Sequence, residues 1–140
     1  MAPENVELVE RSYELLAELR EAKPGTLERA FRECFDEGFE IRIPDAYPEG
    51  AQVFRGRAGV MRWVESTREV WDEWRFERER FLEAGDQVVV LVHLSARGKG
   101  SRFEIEEATA DVFRLADGGI VQLRLYVDRK VAQRATGLAA

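Results

Sequence analysis

The sequence predicts an α+β domain, and three observations carry that prediction. Helical spacing of apolar residues fills the first half of the chain, two-residue alternation fills the second, and glycine turns join the alternating runs. Helices gathered on one side of a bent antiparallel sheet bury both kinds of apolar face together. At 140 residues the chain is expected to form a single domain over 1–140, long enough to enclose a core.

From Glu4 to about Ala22, Val6, Val9, Tyr13, Leu16 and Leu19 recur at three and four, which predicts an amphipathic first helix. Lys23-Pro24-Gly25 breaks it, and Thr26 opens a second helix carrying Leu27, Ala30, Phe31 and Cys34. Phe39, Ile41 and Ile43 alternate with charges as a strand closed by Pro44, and Asp45 to Gln52 reads as a loop. A third helix is expected over Arg57 to Trp74, with Trp63, Trp71 and Trp74 on one stripe as the lid of the core. Arg75 to Glu83 reads as an edge strand or extended connection.

Gln87 to Arg97 is a strand apolar on both sides, which implies a cover on each face. The helices supply one cover. A second copy of the chain is the expected other, giving a homodimer through the outer sheet face. Gly98-Lys99-Gly100-Ser101 has letters of a phosphate loop but lacks the upstream glycine and joins two strands, so it reads as a hairpin tip. The strand beginning at Phe103 turns at Asp117-Gly118-Gly119 into a last strand reaching Tyr126. Arg129 to Leu138 reads as a short terminal helix or turn with Asp128 as its N-cap.

A net charge of −6 argues against a phosphate-backbone partner, so no nucleic acid is expected. The longest apolar run, Val88 to Val92, is far short of a membrane span, and no signal segment leads the chain; a cytoplasmic location is the expectation. One cysteine and one histidine give no metal-site spacing, so neither metal nor cofactor is expected, and Cys34 reads as a buried inert thiol. Against this background Asp111 stands out. It shares a strand side with Thr109, Phe113 and Leu115, a carboxylate on an apolar face.

Val9-Glu10-Arg11-Ser12-Tyr13, Val53-Phe54-Arg55-Gly56-Arg57, Gly85-Asp86-Gln87-Val88-Val89-Val90 and the closing run from Val112-Phe113-Arg114-Leu115 to Tyr126-Val127-Asp128 carry a family resemblance. On these residues the chain resembles the SnoaL-like branch of the nuclear transport factor 2 (NTF2-like, ketosteroid isomerase-like) superfamily over nearly its whole length. The resemblance implies a cone-shaped fold, with three helices of the N-terminal half packed in a strongly curved antiparallel sheet around a ligand cavity. It specifies the reaction poorly, because the superfamily spans isomerases, cyclases, hydrolases and non-catalytic members.

Compared with the ketosteroid isomerases, Tyr13 matches the oxyanion-hole tyrosine and Asp111 the oxyanion-hole carboxylic acid. The position of the general base, ahead of Pro44, holds Ile43, which can neither take nor return a proton. Gln87, Val89 and Leu125 stand where the epoxide hydrolases need an arginine and two aspartates, so that mechanism is excluded. In the polyketide cyclases of the branch an acidic cavity residue is general acid or base, and Asp111 is its expected counterpart.

The resemblance also assigns faces. Glu107, Thr109, Phe113, Leu123, Leu125 and Val127 should point inward with Asp111, and Tyr126 and Asp128 outward. His93 shares the inward side by the same comparison, although Val88, Val90, Val92 and Leu94 form the more uniformly apolar set. Tyr13, His93 and Asp111 are the expected catalytic residues, and Phe35, Ile43, Phe54, Trp63, Thr109, Phe113 and Leu125 the expected ligand contacts. The implied ligand is small, mostly apolar and carbonyl- or enol-containing, as a polyketide, steroid or terpenoid is, with isomerisation, cyclisation or hydration by acid/base chemistry. The alternative is a non-catalytic ligand-binding or dimerisation domain in which Tyr13, His93 and Asp111 form a polar core network.

Overall fold

The computed structural model describes residues 2–44, 51–100 and 104–138. Within them the chain runs α1 (Ala2–Arg20), α2 (Thr26–Glu33), β1 (Phe35–Ile43), β2 (Gln52–Arg55), α3 (Gly56–Val70), β3 (Trp71–Ala84), β4 (Gln87–Gly98), β5 (Glu104–Ala116), β6 (Gly119–Tyr126) and α4 (Arg129–Thr136). The six strands form one sheet in the order β2-β1-β6-β5-β4-β3, open at β2 and β3. The architecture is α+β, as expected, but the sheet is mixed: β1 pairs with β6 in parallel, and every other pair is antiparallel. Three helices lie between β1 and β6 or before them in the chain, so no hairpin dictates their relative direction.

The inner face and helices α1 to α3 enclose the main core, in which Phe39, Ile41, Val60, Val88, Val90, Val92, Phe113 and Ile120 are fully buried. Phe35 and Phe39 stack at 4.0 Å, and Phe31 meets both edge-on. Their spacing follows from an irregularity in β1, where the pairing with β6 shifts between Phe35 and Glu40. At the other end of the helical layer, Gly59 lets α3 close on β2; a Cβ there would stand 2.7 Å from the carbonyl carbon of Phe54.

Two elements differ from expectation. The third helix stops at Val70, because Trp71 takes extended angles and pairs with Gly98, while the amide of Lys99 bonds Val70 O at 2.9 Å. Trp71 and Trp74 therefore belong to β3, although Trp74 still meets Trp63 edge-on at 5.7 Å. Gln52–Arg55 is a strand, not the end of a loop, and the rest of the predicted rim loop, residues 45–50, lies outside the described residues. The hairpin tip after β4 is likewise described only as far as Gly100, so Ser101 falls outside.

The outer face has its own apolar layer. Val89, Leu91, Ala110 and Val112 are buried there with Ala132 of α4, and Leu82, Tyr126 and Leu138 pack around them. The chain's own last helix thus covers part of the face for which a second subunit is expected, the part around Val89, Leu91, Ala110 and Val112. Asp128 caps α4 as expected, accepting from the Lys130 amide at 2.8 Å, and Gly137 closes it at φ 78°. No helix of the described residues is long and apolar enough to cross a membrane.

Candidate functional site

One stripe of α1 faces the site. Tyr13, Leu16, Ala17 and Arg20 lie three, four and seven apart and all line a cavity of about 430 Å³. Trp74, Phe76 and Arg78, alternate residues of β3, form the opposite wall; Trp63, Val64 and Thr67 of α3 close one side. Asp111, Leu123 and Leu125 make the floor, with Asp111 directly paired to Leu125 across β5 and β6. The edge of β3 brings Arg75 and Glu77 to the mouth.

Tyr13 and Asp111 meet at this floor. The phenol Oη donates to Asp111 Oδ2 at 2.6 Å, and both residues are buried. Among the described residues no cation pairs with Asp111 and no donor reaches its Oδ1. Burial pushes its carboxyl up from 3.8 to about 7, against the smaller opposing effect of the Tyr13 hydrogen bond. The Tyr13 hydroxyl is held well above its ordinary range, first by burial and then by the Asp111 charge. Tyr13 therefore stays a donor, while Asp111 changes protonation near neutral pH.

Aromatic rings fix the phenol. Phe113 stands edge-on to Tyr13 at 5.4 Å and Phe76 tilts against it at 6.3 Å, while the Arg78 guanidinium lies 4.9 Å over its ring. Behind the site Arg129 holds the sheet at this level: it donates to Thr109 O at 3.0 Å and Val92 O at 2.9 Å and pairs with Glu79. Glu79 is the extra residue of a bulge in β3, where the register shifts between Arg78 and Arg80.

His93 is not part of this group. It lies on the outer face, about one-third exposed, with Nε2 2.9 Å from Glu106 Oε1. The parity that favours Val88, Val90, Val92 and Leu94 as core residues sends His93 the other way. The expected meeting of Tyr13, His93 and Asp111 is corrected to a pair.

Of the expected ligand contacts, Trp63 and Leu125 line the cavity. Phe113 stands one layer behind it, against Tyr13. Phe35, Ile43 and Phe54 belong to the packed core further along the helical layer, and Thr109, though buried on the inward side, offers its carbonyl to Arg129. Arg20, Arg78, Trp74 and Phe76 were not expected at the site. Arg20 carried a signal, since it stands two helical turns beyond Tyr13 on the same stripe.

Cys34 is buried, its Sγ 3.7 Å from Leu8 O, and burial raises the thiol to about 11, which makes it inert as a nucleophile at neutral pH. Among the described residues no three His, Cys, Asp or Glu side chains stand together as metal ligands.

The family model of the SnoaL-like domain matches residues 9–123. An NTF2-like protein from Burkholderia xenovorans LB400 superposes with TM-score 0.76 at 21% identity, covering 97% of this chain and 98% of its own. TerC, co-crystallised with polyporic acid, superposes with TM-score 0.71 at 20% identity over 95% of this chain and 97% of its own. A protein of Jannaschia sp. CCS1 assigned as a SnoaL-like polyketide cyclase does so with TM-score 0.70 at 23% identity over 99% and 94%. These identities bear on the fold alone. None of the curated proteins compared with the chain matches it.

Proposed function

Because the chain belongs to the SnoaL-like domain family, we propose that the trough between α1 and β3 binds a small, mostly apolar ligand and grips its carbonyl or enol oxygen at Tyr13 and Asp111. The observation that carries this reading is Asp111 itself: a buried carboxyl with one oxygen held by Tyr13, and among the described residues no cation beside it and no donor on the other oxygen, in a cavity wall that is otherwise mostly apolar. Buried carboxyls in such surroundings act as neutral donors at one pH and as bases at a slightly higher one.

The chemistry that fits is proton transfer next to a carbonyl. In its ionised form Asp111 takes a proton from the carbon beside the carbonyl, while the single O–H of Tyr13 turns from Asp111 Oδ2 to the negative oxygen that develops. The protonated acid then returns that proton to carbon. One carboxyl serves both steps, because Ile43 leaves the second acid/base position of the isomerases empty of function. Isomerisation and cyclisation through an enol both proceed this way. The relative crystallised with polyporic acid and the one assigned as a polyketide cyclase support a ring-containing ligand.

The test is a panel of aromatic and polycyclic ketones followed by thermal shift, with bound ligands then incubated in D2O. Ligands that shift the wild type should shift Tyr13→Phe less. Deuterium should enter the carbon beside the carbonyl in the wild type and not in Asp111→Asn. Binding without exchange would favour a non-catalytic carrier, in which Tyr13 and Asp111 simply satisfy each other. A homodimer would use the part of the outer sheet face that α4 leaves open, around His93, Glu106 and Ala108; light scattering reads it directly.

A further inference from the structure

The cavity carries an arginine at each end, Arg20 and Arg78, and among the described residues neither forms an ion pair with a carboxylate. Arg20 is partly buried and spends its guanidinium on neutral acceptors: Nε on Thr67 Oγ1 at 3.4 Å, Nη2 on Thr67 O at 3.3 Å and on Trp71 O at 2.5 Å. Arg78 donates to Phe76 O at 3.4 Å and otherwise covers the Tyr13 ring. Neither makes a salt bridge among the described residues, whereas Arg75 at the mouth pairs with Glu73 at 3.6 Å. With only carbonyl and hydroxyl partners, the partly buried Arg20 guanidinium has no direct ion-pair contact among the described residues.

The neighbours deepen this imbalance. Arg68 stands close enough to Arg20 that its charge, after burial, is the second influence lowering the Arg20 pKa, and Arg68 has a buried Nε with no acceptor. Asp72 offers Arg20 a favourable field but no ion-pair contact, and its Oδ2 lies 3.4 Å from the Gly100 amide. Glu77 is the other acid at the mouth, exposed and on the outward side of β3. Trp74, between Arg20 and Arg78 on the cavity wall, has a buried indole N–H without an acceptor.

Resting on the ketone-binding reading above, we propose that the ligand is an oxo acid: an apolar body with its carbonyl at Tyr13 and Asp111 and a carboxylate at Arg20. Tyr13 and Arg20 are seven positions apart on α1, so their backbone positions stand about 10 Å apart along the helix. Leu16 and Ala17 lie between them and leave only apolar surface for the body of the ligand. A carboxylate at Arg20 would give that cation the direct ion-pair partner it lacks among the described residues and would offset the repulsion from Arg68.

The experiment compares aryl-oxo-alkanoic acids of increasing chain length with their methyl esters, by calorimetry on the wild type at pH 6, where Asp111 is protonated and the ligand acid is ionised. The acid of matching length should bind about ten- to a hundredfold more tightly than its ester. Arg20→Gln should abolish that preference, and Arg20→Lys should keep part of it. Equal binding of acid and ester by the wild type overturns the proposal without any variant having to fold. If the esters bind and depend on Tyr13 but the acids bind no better, the ketone site stands and the oxo-acid assignment falls. If neither acids nor esters nor neutral ketones bind, both readings fall.

Discussion

The Tyr13 hydroxyl donates to Asp111 Oδ2 at 2.6 Å, joining the first helix to the fifth strand at the floor of an apolar trough. The carboxyl sits there with no cation beside it among the described residues, so ionising it costs free energy that the fold must supply.

Asp111 makes the protein less stable as pH rises. Its folded pKa, about 7, lies above its ordinary 3.8, so the folded state holds a proton that the unfolded state releases between those values. Unfolding free energy therefore declines from about pH 4 to 7 and levels off above, by up to roughly 4 kcal/mol. Urea unfolding should show Asp111→Asn equal to wild type near pH 4 and more stable at pH 8. Glu18, Glu37 and Glu40 are shifted downward by their arginine partners and act in the opposite sense, at the acid end of the range.

Tyr13→Phe leaves Asp111 Oδ2 buried without its donor. The expected cost is about 1–3 kcal/mol at pH 8, where the carboxyl is ionised, and less at pH 5, where it is neutral. The same urea titration checks it. An equal cost at both pH values would mean that ring packing against Phe113 and Phe76 carries the effect instead.

Gly59→Ala places a Cβ 2.7 Å from the Phe54 carbonyl carbon, so β2 and α3 must part. A loss of about 1–3 kcal/mol is expected from such overpacking, read as a fall in Tm. Ala58→Gly, on the exposed side of the same helical turn, should cost only about 1 kcal/mol through helix propensity.

Cys34 should react slowly with iodoacetamide in the native protein and fast once unfolded, because its thiol is buried and its pKa is raised to about 11. Rapid native alkylation at pH 8 would show that the packing of α2 on α1 opens readily.

Much of this was legible in the sequence, and the misses have physical causes. Asp111 was readable because it breaks the alternation of an otherwise apolar strand side, and Tyr13 because it sits on a helical stripe and resembles a known oxyanion-hole tyrosine. His93 misled because β4 is apolar on both faces, so alternation could not choose between them; part of the outer cover turned out to be α4, whose buried contact is the small Ala132. Phe76 and Phe81 are five apart, which simple alternation puts on opposite faces. The bulge at Glu79 returns both to the core, and no local pattern announces a bulge. The parallel pairing of β1 with β6 joins segments about eighty residues apart, beyond any short-range periodicity. Arg20 and Arg78 looked like solvated charge because their lack of acidic partners is a property of the fold.

The most direct test follows the Asp111 carboxyl carbon by NMR through a pH titration, in free protein and with a bound aromatic ketone. The account predicts a midpoint near 7 in the free protein, assigned by its absence in Asp111→Asn, and a clear displacement of that signal when the ketone binds. A midpoint in the ordinary carboxylate range near 4, unmoved by any ketone, would contradict it.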